Sequence, residues 1–80
     1  MPPEVVNEEY INIEGGAVVV HIEVSKPIDD IPGWTRVSDN TFEKEFTEVT
    51  SKVVEIITLQ DFHGNDPVEH TVVVRGRSSS

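Results

Sequence analysis

The chain has 80 residues, of which 36% are hydrophobic and 26% are charged, and its formal net charge is −9 at pH 7. A chain of this length builds one small hydrophobic core, and its lack of cysteine excludes a disulfide scaffold and thiolate zinc sites. The excess of acidic side chains argues against binding to nucleic acid or to anionic lipid, since both require a basic face. The longest unbroken apolar run, 17–20, is far shorter than the ~20 residues that a membrane helix needs.

The hydrophobic residues alternate with a period of two, which is typical of half-buried strands. In chain order, the alternation predicts strands at residues 9–13, 17–24, 34–37, 41–47, 53–60 and 68–75. Turn residues separate these runs at 15–16, 25–33, 38–40 and 61–67. Short strands at regular spacing, with turn residues between them, indicate an all-β sandwich of about seven mostly antiparallel strands.

The largest apolar side chains are expected at the centre of this sandwich. The predicted core consists of Trp34, Phe42, Phe46, Val20, Ile22, Ile57, Leu59 and Val72. The alternative for the three aromatic rings is an exposed platform that stacks on sugar, and an exposed Trp34 would favour that alternative. Polar groups converging in a pocket would be needed to support a catalytic role.

The sequence contains residues of two kinds of metal site. His21, His63 and His70 lack the spacing of a zinc motif, so they are interpreted as scattered surface residues. The segment 61–66 offers Asp and Asn oxygens that suit Ca²⁺, but it lacks the EF-hand spacing. The same residues are ordinary hairpin-turn residues, and the turn is the preferred interpretation. We therefore predict no metal, no cofactor and no catalytic residue.

Strand 41–47 carries three charged residues of interest. Glu43 and Glu45 share the outward face, so they do not face each other as the two carboxylates of a glycosidase do, and we expect them to protect a sheet edge. Lys44 shares the inward face with the two phenylalanines. Its simplest role is an edge lysine whose stem covers the core. A covalent link from Lys44 to Asn12 or Asn65 is the alternative.

The order of the motifs resembles the bacterial immunoglobulin-like (Ig-like) repeat domains of Gram-positive surface proteins. The resemblance is carried by Lys26 and Pro27, Gly33 and Trp34, residues 40–42, and Asp61, Gly64 and Asn65. It implies an Ig-like β-sandwich over residues 9–76, an N-terminal linker or cut boundary at 1–8 and a polar tail at 77–80. It also implies an extracellular location, either at the cell surface or secreted, with any signal outside this sequence.

The function that the resemblance implies is a non-catalytic spacer or adhesive module of a larger bacterial surface or secreted protein. Such a module holds a functional domain away from the cell wall. The alternatives are a carbohydrate- or receptor-binding accessory module attached to an extracellular enzyme, and a calcium-stiffened linker. The expected partners are neighbouring domains of the same chain, and for an adhesive module a host protein or a glycan. The isolated domain is expected to be a monomer.

Overall fold

The computed structural model describes residues 2–47 and 49–76; the tail predicted at 77–80 lies outside them. Within these residues the fold is all-β, with one short 3-10 turn at Glu14–Gly16. None of their helical segments is long enough to cross a membrane. The strands are β1 (Val5–Ile13), β2 (Ala17–Val24), β3 (Thr35–Ser38), β4 (Thr41–Phe46), β5 (Lys52–Leu59) and β6 (Val68–Arg75).

The strands form two antiparallel sheets, one of four strands in the order β1-β2-β4-β3 and one of two strands, β5-β6. β2 and β4 lie at the centre of the larger sheet, and each has a neighbouring strand on both sides. These are also the two strands of this sheet in which apolar and polar residues alternate most clearly. The all-β prediction is confirmed. The described residues contain six strands where about seven were expected. Segment 25–33, which was predicted to be a turn region, makes a single bridge from Ile28 to Asp61.

A single hydrophobic core lies between the two sheets. β2 buries alternate residues and turns the others outward, which is the predicted pattern. All eight residues expected in the core are buried, including Phe42 at 0% exposure and Trp34 at 9%. Other residues complete the core: Val18, Val24, Ile28, Ile31, Val49 and Val74. The rings of Trp34 and Phe46 meet edge to face, with their centroids 6.2 Å apart.

The first strand is longer than predicted. β1 begins at Val5, inside the segment assigned to a linker, and pairs with β2 along its length. The sequence signal is weak here because charged and polar residues occupy both faces of β1. Backbone pairing with β2 compensates, since ladder hydrogen bonds do not depend on the side chain.

The described residues Glu4 and Gly76 lie at opposite ends of the molecule, which measures 47 × 20 × 19 Å. At the end we call the entry pole, the Ser25 amide donates to the Glu4 carbonyl and the Val24 amide to the Asn40 carbonyl, both at 2.8 Å. At the end we call the exit pole, the Gly76 amide donates to the Ser51 carbonyl at 2.9 Å. β1 and β6 both run from the entry pole to the exit pole.

Candidate functional site

The three histidines lie apart, and two of them have their own carboxylate partner. His21 Nδ1 lies 2.8 Å from Glu43 on the outer face of the larger sheet. His70 Nε2 lies 2.7 Å from Glu8 and bridges β6 to β1. His63 is exposed in the β5–β6 turn. Within 2–47 and 49–76, no group of three His, Asp or Glu side chains could hold a metal ion.

Asp61 is the buried carboxylate of the β5–β6 turn. It accepts hydrogen bonds from the Asn65 side chain at 2.5 Å and from the His63 amide at 3.0 Å, and it pairs with Lys26 at 3.4 Å. These contacts, with the Asn65 hydrogen bond as the largest cause, lower the pKa of Asp61 to about 2 although burial acts in the opposite direction. The carboxylate therefore organises the turn through protein donors, which is the hairpin-turn role expected of Asp61 and Asn65.

Glu43 and Glu45 lie on the outer face of β4, as the alternation predicts. Their neighbours on β2 are His21 and Val19, respectively. The two carboxylates therefore lie side by side on one surface. Glycoside hydrolysis requires carboxyl groups on both sides of the bond that is cleaved, and this arrangement does not provide them.

Lys44 points between the sheets and meets a partner that reasoning from the sequence missed. Its Nζ donates to Glu55 Oε1 at 2.7 Å, and the Trp34 indole N–H donates to Glu55 Oε2 at 2.7 Å. Partial burial raises the pKa of Glu55, but the hydrogen bonds from Lys44 and Trp34 outweigh it, and the pKa is lowered. This Lys44–Glu55–Trp34 cluster joins β4 and the start of β3 to β5.

Neither asparagine considered for a covalent link is the partner of Lys44 here. The Asn65 side chain bonds to Asp61, and Asn12 lies on β1, where it is paired with Val18 of β2. The true partner carried a sequence signal, because Glu55 shares the inward face of its strand with Ile57 and Leu59. One inward base on β4 and one inward acid on β5 form a complementary pair.

A shallow cleft opens where the edges of β1 and β6 run side by side. It has a volume of about 300 Å³ and is lined by Tyr10, Asn12, Val18, Val73 and Arg75. Burial, followed by a hydrogen bond to Glu8, raises the pKa of Tyr10 to about 12, with a backbone hydrogen bond from Val73 acting in the opposite direction. The phenol O–H therefore donates a hydrogen bond to the Glu8 carboxylate.

Comparison with family models, with curated proteins and with solved structures finds nothing that matches this chain. Its function must therefore be inferred from the geometry of the described residues. They form a small cleft at Tyr10, and three ion pairs, His21–Glu43, Lys44–Glu55 and His70–Glu8, connect different strands.

Proposed function

We propose that this chain is a non-catalytic, Ig-like spacer module of a larger extracellular bacterial protein. The strand order supports this proposal. An Ig constant-type sandwich has one sheet in the order A-B-E-D and a second sheet made of C, F and G. The order β1-β2-β4-β3 follows the first sheet, and β5-β6 corresponds to F and G. Segment 25–34 takes the place of strand C and keeps only the bridge from Ile28 to Asp61.

The observation that carries the proposal is the position of the two chain ends. The backbone enters beside Ser25 at one pole and leaves beside Ser51 at the other, along a long axis of 47 Å. A domain joined to each end is therefore separated from the other by the length of the module. Ends that lie together, as in many inserted domains, would add width instead of distance.

The contacts between the terminal strands fit a module that carries tension. Pulling on the two ends loads β1 and β6 in opposite directions, because both strands run from the entry pole to the exit pole. Backbone pairing holds β1 to β2, while the Glu8–His70 pair joins β1 to β6 at 2.7 Å. Sliding the two strands apart must break these contacts together.

The proposal is tested by joining one, two and three copies of the chain in tandem and measuring the maximum dimension by small-angle X-ray scattering. Each added copy should lengthen the particle by close to the 47 Å axis. An increment close to the 20 Å width would contradict the spacer function. The measurement is repeated with Val54→Lys chains, whose substitution lies at a 52%-exposed position of β5.

The cleft favours a second candidate function, a carbohydrate-binding accessory module. Its walls combine the 41%-exposed Tyr10 ring with the Asn12 amide and the Arg75 guanidinium, groups that suit a sugar bearing a carboxylate. Trp34 is 9% exposed and offers no such platform. Titration with glucuronate, with glucose as the neutral control, should shift the NMR signals of these three residues if the cleft binds sugar. The absence of shifts would remove this candidate.

A further inference from the structure

One long edge of the smaller sheet has almost no backbone partner. β6 pairs with one side of β5, and on the other side the described hydrogen bonds include only that from the Asp29 amide to the Gln60 carbonyl, at 2.7 Å, just past the end of the strand. Backbone groups of alternate residues point to opposite sides of a strand. The amides and carbonyls of Val54, Ile56 and Thr58 therefore point to the same open side as Gln60.

The outer face of this strand is apolar although it is exposed. Val54 is 52% exposed and Ile56 is 61% exposed, and Val73 lies beside Val54 on β6. Most antiparallel strands that face water on one side alternate apolar and polar residues, and strands apolar on both faces are usually covered on both. β5 therefore has the composition of a covered, central strand and the position of an edge strand. Edges of this kind are templates for pairing with another chain.

The charges around this edge are distributed unequally between the two poles. Lys52 and Arg75 lie opposite each other across β5 and β6 at the exit pole, and like charges in that position are destabilising. Neither has a carboxylate partner among the described ion pairs. At the other end of the same edge, Asp29 is exposed beside Gln60.

We propose that the open edge of β5 pairs antiparallel with β5 of a second copy of this chain. A two-fold axis at Ile56 places Val54 of each copy opposite Thr58 of the other. The two two-stranded sheets then form a single sheet of four strands. This register places no like charges opposite each other. It also brings Lys52 of each copy beside Asp29 of the other, so that the basic end of one edge meets the acidic end of its partner. The inference stands independently of the spacer function.

Sedimentation equilibrium of the full chain tests the proposal over the micromolar to millimolar range, since an interface of one strand is small and should be weak. The average mass of the wild type should rise from monomer toward dimer. Val54→Lys and Ile56→Lys should abolish the rise, because each adds a charge to the paired strand without touching the core. Val37→Lys is the matched control, since Val37 on β3 is also 52% exposed, and it should associate like the wild type.

A charge exchange tests the orientation. Lys52→Glu should weaken association by setting an acid against Asp29, and the double variant Lys52→Glu/Asp29→Lys should restore it. Circular dichroism of every variant checks that the fold is intact. A wild type that remains monomeric throughout would overturn the proposal, as would a Val37→Lys variant that dissociates as readily as Val54→Lys. Failure of the double variant to recover would overturn the antiparallel arrangement.

Discussion

Replacing Glu55 should show how strongly its cluster holds the two sheets together. Its side chain is 25% exposed and that of Lys44 is 28% exposed, so water screens their interaction only in part. Hydrogen bonds to charged groups contribute about 1.5–3 kcal/mol, and exposed ion pairs contribute about 0–1 kcal/mol. Glu55→Gln keeps an acceptor for the Trp34 indole and loses the charge, so it should cost about 1 kcal/mol. Glu55→Ala loses both contacts and should cost about 2–3 kcal/mol.

The assay is urea unfolding followed by the fluorescence of Trp34, the single tryptophan of the chain. A double-mutant cycle with Lys44→Met isolates the ion pair, because methionine keeps most of the apolar stem. We expect a coupling of about 1 kcal/mol between Glu55→Gln and Lys44→Met. Glu45→Gln, at an exposed position on the outer face of β4, should change stability by less than about 0.5 kcal/mol. Additive effects in the cycle would refute the assignment of this pair.

Three further changes address other parts of the fold. Because folding lowers the pKa of Asp61 from 3.8 to about 2, its contribution to stability should be complete above pH 3.8 and should be lost as the pH falls toward about 2. The melting temperature of Asp61→Asn, measured against pH, should lack this decrease between pH 3.8 and about 2. Gly76→Ala should cost about 1–3 kcal/mol in urea unfolding, since its Cβ would lie 2.6 Å from the Val49 carbonyl. Phe42→Ala should cost about 3–5 kcal/mol, while Phe62→Ala, at a site 65% exposed, should change little; equal effects would contradict the assigned core.

The parts of the fold that depend on local alternation could be predicted from the sequence. β2 and β6 have the predicted bounds, and Phe42 and Phe46 share the buried face of β4. These features follow from the fixed geometry of a strand, in which alternate side chains point to opposite faces. Sheet order does not follow from alternation, because any apolar face can pack against any other. The turn residues predicted at 25–33 agree with the lack of a named strand there, but the bridge from Ile28 to Asp61 could not be predicted from local alternation.

The candidate site was predictable only where one strand alone determines it. The outward direction of Glu43 and the inward direction of Lys44 came from the strand period. The partners His21, Glu55 and Glu8 depend on which strands meet, and residues such as Glu8 and His70 are separated by most of the chain. A search for opposite charges on the inward faces of all strands would have found the Lys44–Glu55 pair. The cleft at Tyr10 could not be found in this way, because it depends on which edges of the two sheets lie next to each other.

The two proposals together make a prediction that neither makes alone. In a rigid tandem chain, successive β5 edges would be spaced by about the 47 Å axis, so a second antiparallel chain could pair with several of them at once. Such multivalent contact strengthens association by about 10²–10⁴-fold without new contacts, provided that the geometry permits simultaneous pairing. Two-copy chains should therefore dimerise at least about 100-fold more tightly than single copies in sedimentation equilibrium, and Val54→Lys in both copies should remove the gain. Equal affinities would mean that the junction between copies turns their edges in different directions.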